Sequence, residues 1–194
     1  PPAARHQPVL LEETLGWLAP DRGGLFVDCT LGLGGHAHAL LARFPNTRLL
    51  GIDRDPRALY LARQRLEEFG RRARCVDGNF CDLEDVWAAH AAGEAPPAGI
   101  YADLGMSSLQ LDDPDRGFSF QRDGPLDMRM GTEGPTAAEL VNFATEENLE
   151  EIFREFGEEP EARRVARAIG AQRRVRPIDT TVALANVVRR AKRS

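Results

Sequence analysis

Leu25-Phe26-Val27-Asp28-Cys29-Thr30-Leu31-Gly32-Leu33-Gly34-Gly35-His36 runs from an apolar strand, through an acid at its tip and a glycine turn, into the start of a helix. That order brings bare backbone and a helix N-terminus against a nucleotide-like ligand. The next apolar run, Leu49-Leu50-Gly51-Ile52-Asp53, also ends in an acid. The spacing from Gly32 to Asp53 suits a carboxylate at a second strand tip that grips ribose hydroxyls. Together the two stretches predict a site for an adenosine-containing cofactor.

Gly32-Leu33-Gly34-Gly35-His36-Ala37 satisfies the dinucleotide pattern G-x-G-x-x-G/A, so NAD is one reading. The other is S-adenosylmethionine (SAM), which carries a cationic sulfonium and an ammonium. Asp28 favours SAM, because a carboxylate attracts those cations and gains nothing from an anionic pyrophosphate. A turn whose glycines only allow tight packing is the structural alternative.

Outward from this loop, apolar strands alternate with helical segments. Strands are expected at 25–28, 49–53, 74–76 and 99–103, and helices at 8–18, 35–44, 57–69 and 82–91. This alternation predicts an α/β fold with a parallel sheet and right-handed crossovers. Residues 104–135, rich in Gly, Asp, Pro and Met, hold no period and make too long a loop to be idle. Residues 136–194 read as helical, with Pro160 near the start of one helix and Asp179-Thr180 capping another. The organisation expected is 1–108 as the α/β core and 109–194 as a loop and helical insertion. Four strands are few for this class, so further strands are expected beyond residue 194; a sheet completed by a partner is the alternative.

Composition is that of a globular chain, 42% hydrophobic and 28% charged. No apolar run suits a membrane span, no secretory signal is visible, and Cys29, Cys75 and Cys81 show no pairing framework. A cytoplasmic setting without membrane is expected. The net charge is −5, but the last 34 residues carry ten basic side chains against Glu161 and Asp179. Such a basic region suits a polyanionic partner or an ordinary solvated face. No histidine, His6, His38 and His90 included, has partners for a metal or a triad, and no metal is expected.

Four features fall at strand ends, where ligands of such sheets bind: the glycine turn, Asp53, Asn79-Phe80 and Asp103. Further segments then resemble one family: His6-Gln7-Pro8-Val9-Leu10-Leu11-Glu12-Glu13, Gly51-Ile52-Asp53-Arg54-Asp55, Asp103-Leu104-Gly105-Met106-Ser107-Ser108-Leu109-Gln110, and Arg116-Gly117-Phe118-Ser119-Phe120 through Gly124-Pro125-Leu126-Asp127-Met128-Arg129-Met130. The chain resembles the bacterial SAM-dependent methyltransferases that modify N4 of a cytidine in the decoding region of small-subunit (16S) ribosomal RNA. The resemblance runs through essentially the whole chain. It implies a Rossmann-like class I methyltransferase with an inserted helical subdomain that meets the RNA.

The resemblance also implies residue roles. Gly34, Gly35 and His36 line the methionine part of SAM, Asp53 binds ribose, Phe80 meets adenine, and Asp103 and Gln110 complete the pocket near the methyl. Asp28 and Gly32 join them as cofactor residues. Many exocyclic-amine methyltransferases carry an Asp/Asn-Pro-Pro-aromatic turn after the fourth strand; here Asp103-Leu104-Gly105-Met106 stands in that place. Asp103 is therefore the candidate acceptor for the cytosine amine, assisted by Ser107 or Ser108. Arg116, Phe118, Phe120 and Arg129 are candidate substrate contacts, although both phenylalanines equally suit anchoring the loop. Arg163, Arg164, Arg167, Arg173, Arg174 and Arg176 offer a diffuse phosphate surface. The partner implied is ribosomal RNA within a small subunit, with a homodimer left open. An NAD-dependent oxidoreductase and a non-catalytic RNA-binding or assembly protein are the alternatives.

Overall fold

β1 (Gly24–Asp28), β2 (Thr47–Asp53), β3 (Ala73–Asp77) and β4 (Gly99–Tyr101) form one parallel sheet in the order β3-β2-β1-β4. The computed structural model describes residues 8–193. The chain divides into two compact units, Pro1–Gly105 and Met106–Ser194, and the sheet lies in the first.

β1 and β2 are near-continuous apolar runs because both their faces are covered. Phe26 and Leu49 face one layer with Leu40, Leu41, Leu59 and Leu66. On these strands Leu25, Val27, Leu50 and Ile52 face the other with Val76. Helices α1 (Leu11–Leu18), α2 (Gly35–Arg43), α3 (Pro56–Arg65) and α4 (Leu83–His90) alternate with the strands as the sequence predicts. α3 begins with Pro56 in its first turn and the Asp55 carboxylate accepting the Arg57 amide.

The order of strands reverses between β1 and β4, which marks the crevice where ligands of this fold sit. Register levels the strand ends there: Asp28 pairs with Gly51 on one side and Tyr101 on the other.

Two elements depart from the sequence expectation. The helix expected to reach residue 69 ends at Arg65, and a 3-10 segment, Glu67–Arg72, follows with Gly70 at φ 52°. Arg72 holds that turn, its guanidinium 5.2 Å from the Phe69 ring and its Nη1 donating to the Leu41 carbonyl at 3.0 Å. β4 stops at Tyr101 instead of reaching Asp103, because the Asp103 amide leaves the ladder and donates to Thr30 Oγ1 at 2.7 Å.

In the second unit α5 (Ser108–Asp112) precedes α6 (Ala137–Phe143), α7 (Glu146–Glu155), α8 (Ala162–Val175) and α9 (Thr181–Arg193). Thr136 with Glu139 and Thr145 with Asn148 cap the starts of α6 and α7. Val141, Leu149, Val165, Ile169, Ile178 and Val187 close a core between these helices. Asn142 joins the chain across it, accepting the Ile178 amide and donating to the Ile178 carbonyl, both at 2.9 Å. The loop before α6 is pinned to this core. Leu126 is buried, and its amide donates to the Asp179 carbonyl at 2.9 Å. Gly117, at φ 74°, passes so close that a Cβ would stand 2.5 Å from the Pro125 carbonyl oxygen. No helix among the described residues is long and apolar enough to cross a membrane.

Candidate functional site

Asp28 ends β1 inside the protein, only 2% exposed. The Thr30 amide donates to its Oδ1 at 3.1 Å. Burial is the chief reason its pKa rises from 3.8 to about 7; the charges of Asp53 and Asp103 push the same way, and the Thr30 amide and Tyr101 hydroxyl oppose them. Beyond Thr30 the glycine turn is held from outside itself. Leu31 donates to the Ile52 carbonyl at 2.9 Å, and the Gly32 amide donates to Asp53 Oδ2 at 2.7 Å. Gly32 and Gly34 adopt positive φ, 52° and 72°, which an L side chain resists.

Gly35 opens α2 under Pro8, whose Cγ would stand 2.7 Å from an added Cβ. His36 is nearly buried, its Nε2 hydrogen-bonded to the Val9 carbonyl at 2.9 Å and its ring edge-on to Tyr101 at 6.0 Å. The segment before α1 thus seats on the turn; His6 and Gln7 lie outside the described residues.

The half-buried Asp53 uses its other oxygen for the Asp55 amide at 2.9 Å. Burial raises its pKa, and the amide bonds from Asp55 and Gly32 resist that rise. After β3, Asn79 Oδ1 accepts the Cys81 amide at 3.1 Å, and the Phe80 ring is left 42% exposed. Asp103 is exposed just past β4. Asp28, the glycine turn, Asp53, Phe80 and Asp103 therefore share the carboxyl end of one sheet. Three carboxylates gather there, yet no cluster of metal-ligating side chains occurs among the described residues.

Two participants escaped the sequence reading. Thr30 ties Asp28 to Asp103 through its amide and hydroxyl. Tyr101 places a buried hydroxyl beside Asp28 without completing a hydrogen bond of good geometry. Thr30 could have been noticed as the only hydroxyl in the turn; Tyr101 reads in sequence as one more strand residue.

The other candidates belong to the second unit. Ser107 and Gln110 form a capping box: the Ser107 amide donates to Gln110 Oε1 at 3.1 Å, and Ser107 Oγ accepts the Gln110 amide at 3.3 Å. Gln110 is buried. Ser108 opens α5, and its side chain lies outside those described.

Arg116 Nη2 donates to the carbonyls of Arg129 and Met130 at 2.9 and 2.8 Å. Arg129 grips Asp127 through Nε and Nη2 at 2.8 and 2.7 Å, which holds the Asp127 carboxyl below its usual range. Phe118 is half-buried and Phe120 is 65% exposed. On α8, Arg173 donates to the Val141 and Ala144 carbonyls, Arg174 pairs with Glu146, and Arg164 pairs with Glu161. Arg163, Arg167 and Arg176 are exposed.

A model of the MraW methylase family matches residues 3–194. The chain is 51% identical over 185 residues to ribosomal RNA small subunit methyltransferase H of Methylorubrum populi, a match covering 95% of this chain and 52% of that protein. The protein of the same name from Nitrobacter winogradskyi is 49% identical over 193 residues, covering 100% of this chain and 57% of its own length. The chain spans about half the length of the curated relatives it matches. Among solved structures, a precorrin-6y C5,15-methyltransferase from Geobacter metallireducens aligns over 56% of this chain and 55% of its own, at 19% identity and a TM-score of 0.42.

Proposed function

We propose, from the premise that this chain belongs to the MraW methylase family, that it uses SAM to methylate the exocyclic N4 of a cytidine in the decoding region of small-subunit ribosomal RNA. The observation that carries the cofactor reading is the convergence of Asp28, Asp53 and Asp103. Their charges act on Asp28 in the direction that resists its ionisation. A ligand bearing an ammonium and a sulfonium relieves that repulsion, and an anionic pyrophosphate adds to it.

The residues present fit the cofactor. The backbone of Gly32, Gly34 and Gly35 allows close approach, Asp53 has oxygens for ribose hydroxyls, and the exposed Phe80 offers a face to adenine. Asp28 and His36 serve the methionine end. The bound cofactor supplies an electrophilic methyl group on sulfur.

The chain's own task is to present and polarise the amine. The N4 lone pair is delocalised into the cytosine ring, so attack gains from an acceptor that hydrogen-bonds the amine as positive charge develops. Asp103 is that acceptor; positioning and fixed charge of this kind supply a large part of many rate enhancements.

Residues 109–194 are proposed as the RNA-facing part. Phe120, and Phe118 to a lesser extent because it is half-buried, offer stacking faces. Arg163, Arg167 and Arg176 offer charge to phosphates, whereas Arg116 and Arg129 act chiefly by shaping the loop that presents Phe120. The setting proposed is the cytoplasm, with the target cytidine inside a small ribosomal subunit.

Calorimetry with SAM and with NAD, followed by methyl transfer to small subunits and to naked ribosomal RNA, tests this reading. Binding of SAM alone and labelled N4-methylcytidine in the RNA are expected. NAD binding, or SAM binding without transfer to either substrate, would overturn the assignment.

A further inference from the structure

We propose that Tyr101 is a positioning residue for the cofactor: its buried hydroxyl, beside Asp28 but short of a hydrogen bond of good geometry, donates to the Asp28 carboxylate once that group is ionised, and so favours the form that meets the cationic amino end of the ligand. The inference rests on the SAM reading above and assigns to β4 a part that no nucleotide motif records.

The geometry is specific. Tyr101 and Asp28 are partners in register on adjacent strands, and the Tyr101 carbonyl accepts the Cys29 amide at 2.9 Å. The backbones are therefore locked together where the two side chains meet. A buried hydroxyl without a partner is costly and rare in a folded chain. Here the neighbour able to accept from it is Asp28, which already takes the Thr30 amide at 3.1 Å. The ring is held in place by its edge-on contact with His36, whose Nε2 is committed to Val9.

The surroundings explain why the ionised form of Asp28 needs that support. Facing Asp28 are the carboxylates of Asp53 from β2 and Asp103 past β4, and the thiols of Cys29 in β1 and Cys75 in β3, with the His36 ring beyond Tyr101. None of these is a fixed cation. The pocket therefore keeps a proton on Asp28 until about pH 7. An arriving ammonium exchanges for that proton, and the resulting carboxylate is the stronger acceptor for the tyrosine hydroxyl. Tyr101 thus acts through Asp28 and favours its ionised, ligand-binding form.

The test is titration of SAM into the chain and its Tyr101→Phe variant between pH 5.5 and 8.5, by calorimetry in two buffers of different ionisation enthalpy. For the unaltered chain, affinity should fall about tenfold per pH unit below 7, with a proton released on binding. Tyr101→Phe should move the midpoint upward and weaken binding near pH 7 roughly three- to tenfold, with the two proteins converging at pH 8.5. Asp28→Asn should abolish the pH dependence in either background. An unmoved midpoint, or an equal loss at every pH, would overturn the role of Tyr101 while leaving SAM binding intact. Failure of the unaltered chain to bind SAM at any pH would overturn both this inference and the reading beneath it.

Discussion

The Asp53 carboxylate accepts the Gly32 amide at 2.7 Å, so the acid at the tip of β2 clasps the turn that follows β1. The same group also takes the Asp55 amide and thereby fixes the approach to α3. Asp53→Asn confronts one of these amides with an NH2 donor in place of an acceptor. It is expected to lower stability by about 1–2 kcal/mol and to weaken SAM binding beyond the loss of a ribose contact alone, roughly a hundredfold. Denaturant unfolding and calorimetry measure the two effects. A variant of full stability with weakened binding would confine Asp53 to the ligand.

Asp28 should make the chain less stable as the solution becomes neutral. Its pKa in the folded state, about 7, lies above the ordinary 3.8, so the folded chain binds the proton more tightly than the unfolded one. That stabilisation is full below pH 4, declines as pH rises through the interval, and is gone above pH 7, a change of roughly 2–4 kcal/mol. Asp28→Asn should flatten this slope and raise the melting temperature at pH 8 while weakening SAM binding. Parallel melting curves of the two proteins against pH would contradict the assignment.

Gly117 and Gly134 both adopt positive φ, 74° and 86°, but differ in what surrounds them. Around Gly117 an added Cβ meets backbone, the Pro125 carbonyl oxygen at 2.5 Å and the Asp127 amide nitrogen at 2.7 Å, and neither can turn aside. Around Gly134 there is open space. Gly117→Ala should therefore cost about 3 kcal/mol or more, and Gly134→Ala about 1 kcal/mol. Equal losses in urea unfolding would show that backbone conformation alone matters at both sites.

Asp103→Asn separates catalysis from cofactor binding. The exposed Asp103 side chain leaves its backbone amide to Thr30, so the substitution preserves the local fold. A fall in kcat of about 100-fold or more, well beyond any loss of SAM affinity, is expected if the carboxylate accepts from the amine. Unchanged turnover at unchanged affinity would remove Asp103 from the chemistry.

RNA binding should weaken steeply with salt through the exposed arginines of α8. Arg163→Ala with Arg167→Ala should lower affinity for ribosomal RNA at low salt and reduce the slope of log affinity against log salt by about one to two. Filter binding between 50 and 300 mM salt measures this. A slope identical to that of the unaltered chain would make these side chains an ordinary solvated surface.

The strand–helix alternation was legible because its signals are local: apolar runs for β1 and β2, and Pro56 after Asp55 at the start of α3. The shortening of β4 was not, since it depends on a hydroxyl 73 residues away that draws off the Asp103 amide. The acids and glycines at the strand tips could be read from spacing. The partnership of Tyr101 with Asp28 could not, because strand register is set by the folded sheet and leaves no period in the chain. Arg116 illustrates the same limit: its residue type suggests phosphate, while its guanidinium donates to carbonyls of its own loop.

Among the described residues, the contacts named above that close the glycine turn come from one contiguous stretch, with Pro8 and Val9 at its beginning and the Asp103 amide at its end. Chains are made and fold from the N-terminus. When Gly105 has been added on the ribosome, nothing that the turn's own hydrogen bonds require is still to be translated, and the arginine-rich helices do not yet exist. Among the described residues the order of manufacture therefore matches the proposed division of labour, with the proposed donor's cradle encoded first and the proposed polyanion-facing surface second.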